Sequence, residues 1–220
     1  MLTIAIPKGR IAEEAVPLFK KVGIEPEAAF FDAAERQLMF ACKQPGMQII
    51  RVRSFDVATF VAFGGAQLGI CGSDVLAEFD YPDLYPPRDL GIGTCRLSLA
   101  QPMSTPQAGG MKGGEALTRA SHVRVATKYP NLTRKYFAEK GIQAECIKLS
   151  GAMELAPKLG LAPCIVDLVS SGKTLVANGL EETDVIAEVS SRLIVNRAAF
   201  KTRSVEISAL IETFRGAVDA

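Results

Sequence analysis

The 220-residue chain has no tryptophan and a single histidine, His122, and both absences limit its chemistry before any motif is considered. With one imidazole, set beside a polar, Gly-rich segment, Ser-His-Asp and Cys-His nucleophile systems have little to be built from. The five cysteines, Cys42, Cys71, Cys95, Cys146 and Cys164, show no C-x-x-C spacing. That removes the common zinc and dithiol motifs, and the apolar runs around most of them predict small buried hydrophobes. Charge of one sign is also lacking: 25 Lys and Arg stand against 24 Asp and Glu, a formal net charge of +1. No basic stripe offers itself to nucleic acid or to a membrane surface. No apolar run approaches the ~18 residues of a membrane span, and the stretch Met1 to Lys8 lacks the basic start and apolar core of a signal peptide. A soluble, cytoplasmic protein is expected.

What is present is a globular composition, 48% hydrophobic and 22% charged, with enough chain for one large or two small domains. Leu2, Ile4 and Ile6 alternate as a strand, then Pro7-Lys8-Gly9-Arg10 leads into Ile11, Ala15, Leu18, Phe19 and Val22 at helical spacing, stopped by Gly23. Lys8 and Arg10 thus fall where a first strand meets a first helix, the edge at which open α/β sheets bind ligands; solvated charge is the competing account. Strands are expected at Arg36 to Cys42 and Met47 to Val52, and a helix at Ser54 to Phe63 capped by Ser54. A buried strand from Gly65 then ends in the turn Gly72-Ser73-Asp74, a second candidate anion or hydroxyl site that is also an ordinary turn composition.

After a strand at Thr94 to Gln101, residues Pro102 to Ser121 are rich in Gly, Pro, Ser and Thr without periodicity. They are expected as a surface linker, with a catalytic lid as the alternative. A second alternation follows: strand Val123 to Thr127, helix Asn131 to Lys140, strand Ala144 to Leu149, a helix-like Ala152 to Leu159, a strand-like Val185 to Asn196 and a final helix carrying Ile207, Leu210, Ile211, Phe214 and Val218. Two βα runs separated by a loop argue for two α/β lobes.

The chain is organised around Cys164 to Leu175, a short apolar strand carrying Asp167 near its end, then Ser170-Ser171-Gly172, then a helix opening at Lys173-Thr174. Small residues at a helix start offer backbone N–H groups, hydroxyls and the positive dipole end to an anion, and Asp167 is placed to accept hydrogen bonds from sugar hydroxyls. Gly172-Lys173-Thr174 resembles the end of a Walker A loop, but Asp167 stands where that motif needs its first Gly, so the nucleoside-triphosphatase reading fails. A ribose-phosphate cradle and a plain capped turn both remain open on these residues alone.

Six segments in order carry a family resemblance: Pro7-Lys8-Gly9-Arg10, Gly65 to Asp74, Ala126-Thr127-Lys128-Tyr129-Pro130-Asn131, Gly151-Ala152-Met153-Glu154-Leu155-Ala156-Pro157, Asp167 to Leu175, and Ser190-Ser191-Arg192-Leu193-Ile194. Together they resemble the short form of ATP phosphoribosyltransferase, which opens histidine biosynthesis. Two positions depart from the family pattern: Ser170 stands where an acidic residue is usual, and Gln67 where Asp is frequent.

The resemblance implies an α/β fold like that of type II periplasmic binding proteins, two lobes with a cleft between them. Lobe I would comprise residues 1–92 and 184–220, and lobe II residues 93–183. It implies attack by N1 of the adenine of ATP on C1 of 5-phosphoribosyl 1-pyrophosphate (PRPP). Lys8, Arg10 and Arg36 would face the pyrophosphate and the ATP phosphates; Glu154 and Asp167 would take the ribose hydroxyls, and Ser170, Ser171, Gly172, Lys173 and Thr174 the 5-phosphate. Gly72, Ser73, Asp74, Lys128 and Tyr129 would contact ATP. Mg2+ is expected on the pyrophosphate, without direct protein ligands. The implied partners are a regulatory subunit resembling histidyl-tRNA synthetase and a second copy of the chain, a homodimer within a hetero-oligomer. Rival readings are a non-catalytic two-lobed binding module for a phosphorylated small molecule and a phosphoribosyltransferase for another base.

Overall fold

The computed structural model describes residues 1–32, 34–103 and 121–219. The chain forms two compact units, Met1–Thr94 with Ser190–Ala220, and Cys95–Val189. Most of the stretch expected as a linker, 104–120, lies outside the described residues.

In the first unit, β1 (Leu2–Pro7), β2 (Met39–Ala41), β3 (Met47–Val52), β4 (Leu68–Gly72), β5 (Leu84–Asp89) and β11 (Ser191–Asn196) form a sheet in the order β2-β3-β1-β4-β11-β5. β1 runs parallel to β3 and β4, whereas β2, β11 and β5 pair antiparallel. The period-2 pattern of β1 sends Leu2, Ile4 and Ile6 to one face, against Ala15, Leu18 and Phe19 of α1 (Arg10–Lys21) and Ile207, Ile211 and Phe214 of α8 (Ser204–Asp219). Phe19 and Phe214 meet edge to face at 6.5 Å. Ala5 turns to the other face, where Val57, Ala58 and Val61 of α2 (Ser54–Ala62) and Val75 of α3 (Ser73–Phe79) cover it. With both faces covered, every residue of β1 is buried, as parallel central strands require.

In the second unit, β6 (Cys95–Pro102), β7 (His122–Thr127), β8 (Gln143–Lys148), β9 (Cys164–Val169) and β10 (Leu180–Val189) are ordered β10-β6-β9-β7-β8. β7 is parallel to β8 and β9; β6 is antiparallel to β9 and β10. The connecting helices are α4 (Pro130–Glu139), α5 (Leu155–Lys158) and α6 (Lys173–Ala177). Met153, Ala156, Val169 and Leu175 share one core cluster with Ala100, Ala126 and Ile165.

Several elements differ from the sequence expectation. Val185 to Asn196 is not one strand but the end of β10 and all of β11, which lie in different sheets; alternation is equally good on both sides of Ser190, and only the partners differ. The expected helix Ala152 to Leu159 shrinks to α5, because Ala152 adopts φ +54, outside the helical region. The strand expected at Arg36 to Cys42 is the short edge strand β2. Ser54 is the first helical residue rather than the cap, and Arg53 precedes it without a side-chain cap bond. β5 escaped notice because Pro86 and Pro87 discourage a strand; it lies at the sheet edge, where missing N–H groups are tolerated. Helix α7 (Arg197–Thr202) was also missed; Asn196 caps it, its Oδ1 accepting from the N–H of Ala199 at 2.8 Å.

Candidate active site

The parallel pairing of β7, β8 and β9 brings their carboxyl ends to one edge of the second sheet. Lys128 follows β7, Glu154 follows β8, and Ser170-Ser171-Gly172 follows β9. Glu154, Asp167, Ser170, Ser171, Gly172 and Thr174 come together around a hollow of about 190 Å³, completed by Leu168, Val169 and Leu175. Val169 and Leu175 of the lining belong to one apolar cluster with Met153, the neighbour of Glu154, so a carboxylate from one segment and a loop from another are braced on the same core.

The loop conformation follows from its residues. Gly172, the N-cap of α6, has φ +72 and ψ −4, a left-handed geometry that an L side chain adopts only at a cost. The first regular α6 bond is from Val176 N–H to Gly172 O at 3.1 Å, which leaves the N–H groups of Lys173, Thr174 and Leu175 without an intrahelical acceptor. Asp167 is oriented by its Oδ1 accepting from the N–H of Leu168 at 2.8 Å. The left-handed turn at Ala152, worth about 1–2 kcal/mol of strain, lets Met153 drop into the core while Glu154 reaches the hollow. Lys173 is not among the residues lining that hollow; it lines an adjoining one of about 500 Å³ with Met103, Val176, Glu181 and Glu182, and Ser171, Gly172 and Leu175 line both.

Tyr129 is 2% exposed, a core residue whose N–H donates to Thr127 Oγ1 at 2.9 Å. The buried Thr127 hydroxyl donates in turn to Val166 O at 2.8 Å, tying the Lys128 turn to β9. Nothing in the sequence singled out Thr127 beyond its place in the motif.

In the first unit the parallel strands β1, β3 and β4 also end on one edge. Lys8, whose N–H donates to Val52 O at 3.0 Å, lines a hollow of about 320 Å³ with Gly9, Glu13, Phe30, Phe31, Glu35 and Arg51. Arg36 is exposed on the irregular stretch next to Glu35 and has no hydrogen bond or ion pair among the described residues. Arg10 does not line that hollow. Its Nη2 donates to Gly93 O at 3.2 Å, and its Nε stands 3.6 Å from Glu14, whose Oε2 accepts from the N–H of Gly93 at 2.6 Å. Arg51 is the cation that sequence reasoning missed, because it reads as one more residue of an alternating strand.

The Gly72-Ser73-Asp74 turn is engaged by the start of β11. The N–H of Ser73 donates to Ser190 O at 2.8 Å, and its Oγ accepts from the N–H of Ser190 at 3.3 Å. Asp74 is 6% exposed. Ser190 Oγ donates to Asp89 Oδ2 at 2.8 Å and Arg192 lies 3.1 Å from the same oxygen, so this motif serves structure within the first unit. Burial works against the Asp89 charge, but the N–H of Gly91, Ser190 and Arg192 outweigh it and hold the carboxyl below its ordinary range. Desolvation raises the Cys42 thiol to about 11 and Cys164 to about 12, which leaves both as unreactive thiols. His122 is half-exposed, 3.8 Å from Glu145.

Comparison with known proteins places these features among relatives. Residues 53–216 match the family model HisG, ATP phosphoribosyltransferase. A Sphingopyxis alaskensis protein named ATP phosphoribosyltransferase is 63% identical over 218 residues, 99% of this chain and 94% of its own length. Among solved structures, the ATP phosphoribosyl transferase (HisG:HisZ) complex from Thermotoga maritima aligns with TM-score 0.79 at 32% identity, covering 100% of this chain and 99% of the matched one. The alkanesulfonate-binding protein SsuA from Xanthomonas axonopodis pv. citri aligns with TM-score 0.53 at 14% identity over 98% of this chain and 72% of its own, a likeness of fold alone. The two-unit α/β architecture is therefore that of the type II periplasmic binding proteins.

Proposed function

This chain belongs to the ATP phosphoribosyltransferase family, and from that premise we propose how its residues share the work. The enzyme transfers the 5-phosphoribosyl group of PRPP to N1 of ATP and releases pyrophosphate, the first step of histidine biosynthesis. A plain binding module has only the shared fold in its favour.

The observation that carries the assignment of residues is the hollow where Glu154, Asp167 and the Ser170 to Thr174 loop meet. A sugar phosphate needs carboxylates for its hydroxyls beside neutral donors for its phosphate, and this lining has both. We assign the 5-phosphate to the hydroxyls of Ser170, Ser171 and Thr174 and to the N–H groups at Gly172 and Lys173. The ribose hydroxyls go to Asp167 and Glu154. Lys173 acts through its backbone N–H at the start of α6, since the residue is not among those that line the cradle hollow.

Carbon C1 of PRPP ionises in part before attack, so the protein's task is positioning and charge stabilisation rather than covalent help. Lys8, Arg10 and Arg36 neutralise the pyrophosphate and the ATP phosphates, Arg because its fork matches phosphate oxygens. Lys128 is the proposed side-chain contact to ATP. Tyr129, Gly72, Ser73 and Asp74, largely buried or already bonded, shape the turns that carry the nucleotide contacts. Mg2+ suits this arrangement as a cation carried in on the substrate. The donors of the cradle are two carboxylates and hydroxyls, hard oxygen ligands, and the metal would add neutralisation of the departing pyrophosphate. Both substrates are intracellular metabolites, which places the work in the cytoplasm. The Thermotoga maritima relative is a two-component complex, and a separate regulatory subunit resembling histidyl-tRNA synthetase, assembled on a homodimer of this chain, is the proposed setting.

Pyrophosphate release from PRPP and Mg2+, measured with the chain alone and with a regulatory subunit, tests the assignment. Turnover that needs ATP and is not restored by other bases is expected. Tight PRPP binding without turnover in either setting would return the protein to the binding-module class.

A further inference from the structure

We infer that Arg51 is a positioning residue for Arg36, holding from β3 both ends of the peptide that carries this cation; the inference rests on the proposed role of Arg36 at the pyrophosphate. Residues 34–38 have no helix or strand, so no ladder or helix fixes Arg36. Arg51 does so instead. Its backbone N–H donates to Leu38 O at 2.8 Å, while its Nη2 donates to Glu35 O at 3.1 Å and its Nη1 to Phe30 O at 3.2 Å. The peptide from 35 to 38 is thereby tied at each end to one residue.

The ties continue inward. The Glu35 carboxylate accepts from the N–H of Gln37 at 2.8 Å, and the Gln37 amide donates to Glu27 Oε1 at 3.2 Å. Both neighbours of Arg36 are engaged, whereas Arg36 itself is exposed and unbonded among the described residues. The Arg51 guanidinium is fixed in turn by the rings of Phe40, 4.8 Å from centroid to Cζ, and Phe30, at 5.9 Å. Two carbonyls on one planar fork require arginine; a lysine ammonium on the same ring can serve them only as a point donor. A cation whose chain root is already ordered loses less entropy on engaging its anion, and a shift of its root by about 1 Å is enough to cost much of its effect.

The test is a double-mutant cycle on the full chain with regulatory subunit, read as kcat and KM by pyrophosphate release and accompanied by melting curves. Arg51→Met, which keeps the volume and removes the fork, is expected to lower kcat about tenfold with KM for ATP nearly unchanged. Arg36→Met is expected to lower kcat about a hundredfold or more. The double variant should match Arg36→Met alone, because Arg51 then has nothing to position. Arg51→Lys should fall between wild type and Arg51→Met, and it carries the same cycle if Arg51→Met does not fold.

Losses that multiply in the double variant would show Arg51 acting independently and overturn the inference. Full turnover in Arg51→Met beside a crippled Arg36→Met would do the same while leaving the role of Arg36 intact. Full turnover in Arg36→Met would remove that role and the inference with it.

Discussion

Gly93 and Ser191 meet so closely that a β-carbon built on the glycine would stand 2.8 Å from the serine hydroxyl oxygen. It would also lie 3.0 Å from Ile11 Cγ1, at a residue whose φ is +64. The Ser191 hydroxyl is buried with no hydrogen-bond partner among the described residues. Gly93→Ala should therefore destabilise by about 1–3 kcal/mol, through strain at φ and overpacking. Ser191→Ala removes an unsatisfied group and should be neutral or stabilising. Combined, the two should lose less than Gly93→Ala alone, because the clash with the serine oxygen is relieved while the strain at φ and the close approach of Ile11 remain; chemical denaturation of the three variants measures this.

Arg10 and Arg36 separate on stability. Each change to Ala should lower turnover about a hundredfold or more if both act on the departing pyrophosphate. Arg10 also bonds Gly93 O, so Arg10→Ala should lower the melting temperature as well. Arg36→Ala, exposed and unbonded among the described residues, should change stability by less than about 0.5 kcal/mol. Equal melting shifts in the two variants would contradict the bond seen at Gly93.

The cradle residues should be read in KM for PRPP. Asp167→Asn loses a charged acceptor and should raise it about tenfold or more, and Ser171→Ala about fivefold, from the usual worth of charged and neutral hydrogen bonds. KM for ATP should stay close to wild type in both. Initial-rate measurements with each substrate varied separately would show whether the losses fall on PRPP alone.

Glu182 gives a pH signature. Arg96 donates to it through Nε at 2.9 Å and Nη2 at 2.8 Å, and Ser98 Oγ donates at 2.6 Å. The Arg96 bonds, opposed by desolvation and aided by Ser98, hold the carboxyl below its ordinary 4.5. The sign follows from linkage: a depressed carboxyl contributes stability that is fully present above 4.5 and is lost as pH falls through the lower folded value. Wild type should therefore melt above Glu182→Gln at neutral pH, and the two curves should converge only well below pH 4.5. A gap that stays constant down to acid pH would assign the contribution to packing.

Much of the architecture could be read from the sequence because β1, β4 and β9 are plain apolar strands followed by small-residue turns, and the alternation of strands with helices states the α/β class. What escaped depended on partners rather than on pattern. Alternation runs unbroken through Ser190, so β10 and β11 looked like one strand until β6 claimed the first and β4 and β5 the second. The proline-bearing β5 was hidden for the opposite reason, a local signal that its edge position overrules. The cradle loop was legible as small residues before a helix, and the hollow gathers Glu154 to it from a segment that sequence alone linked only through family resemblance. Arg51 was invisible: nothing about an arginine in an alternating strand says that its fork will close on two carbonyls 16 and 21 residues earlier.

Among the described residues, the lining of the cradle hollow contains two carboxylates and no cationic side chain, whereas Lys8, Arg10 and Arg36 are exposed cations. Salt would then act unequally on the arrival and departure of one substrate. Exposed charges steer an incoming pyrophosphate across distances comparable with the Debye length, so the rate of capture should fall as ionic strength rises. The sugar phosphate, held at contact range by dipoles rather than by net charge, should leave at a rate that salt scarcely changes.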